Sequence, residues 1–500
     1  MAQGADAYFE EHQESGDLGR RALRGGLVSV AMQYGNGALQ ILAQIVLARL
    51  LTPADFGLVA IITVLTSFAP LLIDFGLGDA TTQRRKITPG QISSLFWLAT
   101  GIGLGVAVLV AACSPMIAAI YHDARLEPIA LCTAITFVLW GVSNQHLALL
   151  RRTMQFGRIA RIQLLGTLAG VVIAIVLAIG GFGYWALVAR PIARAFSVAV
   201  GAWRGCRWRP GLPAVDDEVK SMARFGLQVV GFSVTTSVAK AVDRMALGLF
   251  YRPAVVGYYQ NAMTLYQYSI SLSLDQVHTV GSAALSKLQS NPAALRQRYE
   301  AALSTLAFFV MPAAAILSVT GEDVTVVLFG EKWRTAGMLL RVIALLGIPE
   351  VVERSQGWIH LAIGTADRWR NWGFVSLVVQ IAAVLAGLSY GATGVAVACV
   401  MASALVALPA VNYAGRPIGI GSAVVIRAVG PQLIGAISAA AGGTWLQIAV
   451  LAHSSSLLRI AVSMIICAVI YLTIAVGLFR RTEPLRIARS VVQDRLRSNR

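Results

Sequence analysis

Charge is scarce in this chain: Asp, Glu, Lys and Arg make up 13% of its 500 residues, against roughly 25% in a soluble globular domain. So little charge leaves no wettable surface, which excludes a soluble enzyme built around one core. Cysteine is sparse too. The five present, Cys113, Cys132, Cys206, Cys399 and Cys467, are scattered without CxxC spacing, so neither a disulfide framework nor a zinc site is implied. No metal and no cofactor is expected. The first nineteen residues are polar and acidic, and are expected to be neither a cleavable signal nor a targeting helix.

What the chain has instead is apolar length. It is 57% hydrophobic, and a helix crossing a hydrocarbon core needs about 20 apolar residues. Fourteen such segments follow one another between short polar loops. The expected fold class is an all-α polytopic membrane protein of about fourteen transmembrane helices.

The formal charge of +17, from 41 Lys and Arg against 24 Asp and Glu, raises the question of nucleic acid. Position answers it. With Met1 placed in the cytoplasm, most cations fall in the termini and in alternate loops, among them Arg84, Arg85, Lys86, Arg151, Arg152, Arg158, Arg161, Arg204, Arg207, Arg209 and the arginines after Phe479. That is the positive-inside bias, which implies no nucleic-acid partner, places both termini in the cytoplasm and requires an even helix count.

In order, a disordered cytoplasmic N-terminus (1–24) precedes a first lobe (25–203) holding span 1 (Gly26–Ala48), span 2 to Gly78, span 3 (Gln91–Cys113), span 4 (Glu127–Leu150), span 5 (Ile159–Gly180) and span 6 (Tyr184–Trp203). A cytoplasmic linker (204–224) follows. The second lobe (225–414) holds span 7 (Phe225–Phe250), span 8 (Val255–Val280), span 9 (Tyr299–Val319), span 10 (Ala336–Ile363), span 11 (Asn371–Tyr390) and span 12 (Thr393–Tyr413). Spans 13 (Ala423–Gln447) and 14 (Leu457–Phe479) form an extra pair (415–479) before a basic tail (480–500).

The lobes are related by repetition. The turn Pro53-Ala54-Asp55-Phe56-Gly57 returns 200 residues later as Pro253-Ala254-Val255-Val256-Gly257, again between two apolar segments. Thr52-Pro53-Ala54-Asp55 has the form of a capping box with proline at the first helical position, as does Thr88-Pro89-Gly90-Gln91. Each lobe holds an even number of spans, so both share one orientation, and the substrate is expected between them.

Polar residues inside the spans mark candidate sites, since lipid tolerates them poorly. Gln33, Asn36, Gln40 and Gln44 form one stripe along span 1, and the same offset lays them on Ser233, Thr236, Lys240 and Arg244 of span 7. Span 6 adds Arg190 and Arg194 on either side of Pro191. Guanidinium suits bidentate phosphate binding, while ion pairing with Glu350 or Glu353 is the structural alternative. Span 8 is wet, with Gln267 in its deeper polar set and Tyr258 and Tyr259 at its outer half. Acids in the spans are Asp74, Asp243, Asp275, Glu350 and Glu353. Asp243 follows Lys240 by three and Glu350 precedes Arg354 by four, so each has a local ion-pair partner or is a coupling-proton candidate. His278 near the inner end reads as an interface histidine. Asp216-Asp217-Glu218 in the linker resembles a metal and nucleotide-sugar cluster, yet acids in a first helical turn offset the positive helix end.

The runs LARLLTPADFG, FGLGDATTQRRKIT, VVGYYQNAM, AALSKLQSNPAALR, EKWRTAGMLLRVIAL and QGWIHLAIGTADR, in this order over about Gly26 to Tyr413, resemble the Wzx-type oligosaccharide flippases. These form the polysaccharide transport branch of the multidrug/oligosaccharidyl-lipid/polysaccharide exporter superfamily. The resemblance implies a V-shaped two-lobe bundle in a bacterial inner membrane. It implies transfer of an undecaprenyl-diphosphate-linked oligosaccharide to the periplasmic leaflet by alternating access, for exopolysaccharide, capsule or lipopolysaccharide assembly. A polysaccharide polymerase and export machinery are the implied partners. No short catalytic motif comes with the family, and no enzyme is expected. The rival within the superfamily is a drug or metabolite antiporter, which favours an acidic lumen. A pathway polymerase or ligase needs a large outer loop, and the longest here are too short.

The orientation is testable. A cysteine placed at Thr52 should react with an impermeant maleimide added from outside; labelling from the cytoplasmic side alone would reverse the assignment.

Overall fold

Two threonines start helices where the sequence marks them. Thr52 caps the helix Pro53–Leu65: Asp55 N donates to Thr52 Oγ1 at 3.3 Å and Thr52 N donates to Asp55 Oδ2 at 2.9 Å. Thr88 does the same for span 3, the helix Pro89–Ile120, with Gln91 closing the box at 3.1 and 3.2 Å. Each box satisfies backbone N–H groups that the first turn cannot.

The computed structural model describes residues 18–74, 78, 81–82, 87–213, 241–271 and 292–479. These residues are overwhelmingly helical, with no strand among those described. Ten of the described helices are long and apolar enough to cross a membrane. They correspond to spans 3 to 6 and 9 to 14, and the chain is a polytopic membrane protein. Spans 7 and 8 run into segments outside the described residues. Asp275, His278, the basic loop 83–86, the linker acids Asp216, Asp217 and Glu218, and Ser233, Thr236 and Lys240 lie outside them too, as does the Asp74 side chain.

Spans 2, 10 and 8 are among those less regular than their hydropathy suggests, the first two for a local reason. Span 2 breaks into Pro53–Leu65 and Ala69–Asp74. At the break, Thr66 Oγ1 donates to Ile62 O and Ser67 Oγ to Val64 O, both at 2.8 Å, each sharing its carbonyl with a backbone N–H; such back-bonding bends helices, and Pro70 has no N–H to offer the carbonyl of Thr66. Span 10 is Arg334–Ile343 and Gly347–Ile363 joined by a 3-10 turn, Ala344–Leu346. Pro349 is the cause: it lacks the donor for the carbonyl of Leu345 and its ring crowds that oxygen. Span 8, Pro253–Tyr266, continues as a π-helical turn, Gln267–Ser271.

The chain divides into two compact units, Met1–Gly257 and Tyr258–Arg500. In the first, a core near one end gathers Ile87, Leu95, Phe96, Leu149, Ile159 and Trp208 from spans 3 to 5 and the segment after span 6. That segment is tied down by side chains. Trp97 Nε1 donates to Gly211 O at 2.9 Å, Gly211 N to Ser93 Oγ at 3.0 Å, and Arg209 Nη1 to Cys206 O at 2.9 Å. At the opposite end of span 3, Arg125 donates to both Asp123 carboxylate oxygens at 2.9 and 2.7 Å. These hydrogen bonds hold the Asp123 carboxyl below its ordinary range.

In the second unit, spans 13 and 14, Ser422–Ala449 and Ser456–Leu472, pack on span 9, Pro292–Phe329. Apolar helices gain little from meeting one another in lipid, so polar contacts and close packing choose the partner. The side chains of Gln432 and Ser304 meet at 2.9 Å, Tyr471 OH donates to Phe308 O at 3.0 Å, and Arg459 pairs with buried Asp323 at 3.2 Å. The pair outside the duplication is therefore keyed to the second unit at three depths.

The repeated turns also meet, inside the first unit. A Cβ built on Gly57 would overlap the carbonyl oxygen of Pro253, and one on Gly257 the carbonyl oxygen of Pro53. Two backbones touch here, and only hydrogen fits. Gly57→Ala should therefore destabilise the protein by about 1–3 kcal/mol, read as a lower melting temperature in detergent. Gly101→Ala, where a Cβ meets nothing within 4 Å, should not. Equal melting points for the two variants would remove the contact from the account.

Candidate functional site

Span 6, the helix Trp185–Gly205, carries Arg190 and Arg194. At 1.5 Å per residue, Arg194 lies about 14 Å from the helix start, near the middle of a hydrocarbon core of about 30 Å. Its neighbour span 5, Phe156–Ile179, approaches through two glycines one turn apart. A Cβ on Gly170 would come within 2.6 Å of Arg190 O and 3.2 Å of Arg194 Cβ, and one on Gly166 within 3.2 Å of Arg194 O. Small residues at this spacing let two membrane helices close on each other. Arg190 is half-buried and Arg194 exposed.

Span 1, Leu18–Leu50, also packs on span 5. Along it Gln33 is exposed, while Asn36, Gln40 and Gln44 are half-buried. Asn36 Oδ1 is enclosed with no hydrogen-bond partner among the described residues. The amide stripe and the two arginines thus sit on helices that share span 5 as neighbour. The described part of span 7, Val242–Phe250, packs on span 2. Its Asp243 is buried, and Arg244 donates to Asp243 Oδ1 from N at 2.8 Å and from Nε at 3.3 Å. Among the described residues Arg244 is the charged neighbour of Asp243; Lys240 lies outside them.

The second unit brings its own polar residues together at two of its helix irregularities. Gly347, where span 10 resumes after its 3-10 turn, packs against Ile270 of the π turn, a built Cβ falling 3.3 Å from that side chain. One turn on, Arg354 Nη2 pairs with Glu350 Oε1 at 2.7 Å, and Tyr266 OH donates to the other Glu350 oxygen. Glu353 is hydrogen-bonded to Ser403 of span 12, and Gln267 is exposed on the π turn. Irregular backbone survives at membrane depth where protein or a water-filled cavity covers it. Tyr266 and Ser403 were absent from the sequence-derived candidates. Tyr266 lay within the wet face of span 8, whereas nothing in the local sequence points to Ser403.

Together these features define a helical membrane transporter scaffold with charged groups inside its spans. The model of the family described as polysaccharide biosynthesis protein matches residues 46–337, and the chain belongs to that family. The lipopolysaccharide biosynthesis protein WzxC of Escherichia coli (strain K12) is 25% identical over 380 residues, covering 74% of this chain and 75% of that protein. The teichuronic acid biosynthesis protein TuaB of Bacillus subtilis (strain 168) is 26% identical over 71% of this chain and 74% of its own length. Among solved structures, the lipid II flippase MurJ in an inward closed conformation superposes with a TM-score of 0.70 at 15% identity, over 91% of this chain and 99% of that one. An inward-facing multidrug resistance MATE family transporter gives 0.56 at 14%, over 80% and 98%. At such identity these two speak to the fold alone.

The Glu350–Arg354 pair is only about a fifth exposed on each side. Arg354→Gln strands a carboxylate in poor solvent and should cost about 1–3 kcal/mol. Adding Glu350→Gln should recover most of that loss in a thermal-unfolding cycle; strictly additive losses would show that the two do not act as a unit.

Proposed function

We propose that this protein is a flippase, a transporter and not an enzyme, that carries an undecaprenyl-diphosphate-linked oligosaccharide repeat unit from the cytoplasmic to the periplasmic leaflet. The observation that carries the reading is the pair of arginines deep in span 6, held against the glycine face of span 5 with the amide stripe of span 1 on that helix's other neighbour. A diphosphate entering hydrocarbon needs fixed cations, and guanidinium gives it two parallel hydrogen bonds. Amides along the route replace water for sugar hydroxyls. Membership of the polysaccharide biosynthesis family and the similarity to WzxC and TuaB support a lipid-linked sugar as cargo.

Lys240 and Arg244 are assigned to the same polar path through the repeat, with Ser233 and Thr236. Asp243, Glu350, Glu353 and Arg354 are the charges that couple or lock the transport cycle, which runs by alternating access. The charge bias supports cytoplasmic termini and the family supports a bacterial inner membrane, where the protein supplies a polysaccharide polymerase and export machinery.

The antiporter alternative needs carboxylates available to a cationic drug. Asp243 and Glu350 instead have Arg244 and Arg354 at 3.3 and 2.7 Å, which favours the anionic cargo.

Arg194→Ala, and separately Lys240→Ala, should slow translocation of the diphosphate-linked oligosaccharide in proteoliposomes about tenfold or more, as expected for losing a charge-assisted contact, with protein level unchanged. Wild-type rates in both variants would sink the assignment.

A further inference from the structure

At the end of the second unit where spans 10, 11 and 12 come together near Gly364, a strip of side chains is explained by neither packing nor the path of the diphosphate. His360 is 1% exposed; its Nδ1 meets Thr365 Oγ1 at 2.9 Å and its Nε2 has no hydrogen-bond partner among the described residues. Trp369, at the start of span 11, lies parallel to that ring within 10°, the centroids 6.1 Å apart. Three residues on, Trp372 stacks on Tyr413 of span 12 at 5.5 Å. Arg368 lies over the same tyrosine ring at 4.5 Å and donates from Nη2 to Tyr413 O at 2.5 Å. Gln356 sits one turn before His360. Its Oε1 and the Nε1 of Trp372 are both enclosed and lack partners among the described residues.

An aromatic belt at a membrane interface accounts for part of this. Belt indoles, however, turn their N–H toward water or headgroups, and the Trp372 N–H is turned inward. A packed core accounts for the burial, yet cores leave few polar atoms unmet, and here three fall on the ends of spans 10 and 11 that meet through the His360–Trp369 ring pair. Trp369, Trp372 and Tyr413 are each only half-buried, so part of every ring stays open.

We propose that Gln356, His360, Arg368, Trp369, Trp372 and Tyr413 form a docking site for a pyranose ring of the carried glycan. The proposal rests on the flippase reading and places the site at the end that the charge bias assigns to the cytoplasm, where cargo is taken up. Sugar chemistry matches the strip group by group. The CH face of a pyranose stacks on an indole plane. A hydroxyl is donor and acceptor at once, so hydroxyls of one ring can accept from Trp372 Nε1–H and donate to Gln356 Oε1. A second hydroxyl donates to His360 Nε2 in the tautomer whose Nδ1–H donates to Thr365. Arg368, pinned to the Tyr413 ring and carbonyl, stiffens the platform. A small turn of the Trp372 ring opens its N–H to the ligand.

The full-length protein in lipid nanodiscs, titrated with glucose, galactose, N-acetylglucosamine and glucuronate, reports on the site through tryptophan fluorescence and saturation-transfer NMR. At least one of these sugars should bind saturably. Trp369→Leu and Trp372→Phe should each weaken it about fivefold, the scale of one stacking contact or hydrogen bond, and Trp445→Phe, on an exposed ring of span 13, should not. No saturable binding of any of the four, or binding that both variants keep, overturns the site. A fluorescence change that follows phosphatidylglycerol content and that no sugar displaces also overturns it, marking a membrane anchor. Translocation by the same wild-type preparation separates the two readings: transport without sugar binding removes this site alone, whereas absence of transport removes the flippase assignment.

Discussion

Hydrocarbon offers no hydrogen bonds, and the rest of this structure follows from that. A backbone group left unmet in lipid costs several kcal/mol, so each departure from the helical ladder has to be compensated by nearby groups. At Thr66–Phe68 the hydroxyls of Thr66 and Ser67 add a second donor to carbonyls of the preceding turn. At Ala344–Leu346 the chain tightens to 3-10 geometry ahead of Pro349, and the π turn Gln267–Ser271 contributes Ile270 to cover that break. Two weaknesses packed together need less covering than two apart. The polar side chains of the second unit gather in the same place, with Tyr266, Glu350 and Arg354 linked within it.

The same constraint decides how helices choose neighbours. Lipid tails are as apolar as leucine, so burial alone does not tell one partner from another. In the first unit the choice between spans 5 and 6 is made by Gly166 and Gly170 against the backbone of Arg190 and Arg194. In the second it is made by Gln432 with Ser304, Tyr471 with Phe308 O, and Arg459 with Asp323. Those contacts bind spans 13 and 14 to span 9 although the pair has no counterpart in the repeat.

What could be read from the sequence was local. The capping boxes at Thr52 and Thr88 involve residues three apart, and the Glu350–Arg354 pair residues four apart, so composition and spacing already contain them. The family and the helical membrane class came from patterns spread over hundreds of residues, each weak alone. Contacts between distant elements were not legible: Tyr266 meets Glu350 across 84 residues of chain, and no periodicity announces it. The reciprocal contact of Gly57 and Gly257 with Pro253 and Pro53 lay half in view. The repeated turn was visible in sequence, whereas the touching of its two copies is a property of the fold.

Charge placement carries the functional argument one step further. An ion pair inside a protein gains little net stability, because desolvating both partners offsets their attraction. The pairs Asp243–Arg244 and Glu350–Arg354 are formed by residues one and four apart in the chain, so each neutralises itself whatever the surrounding helices do. Span 6 is different in kind. Between Trp185 and Gly205 it holds three arginines and no acid, so no residue of its own offsets Arg190 or Arg194. Whatever offsets their charge at membrane depth has to come from other groups, and under the proposed function a diphosphate headgroup is one of them.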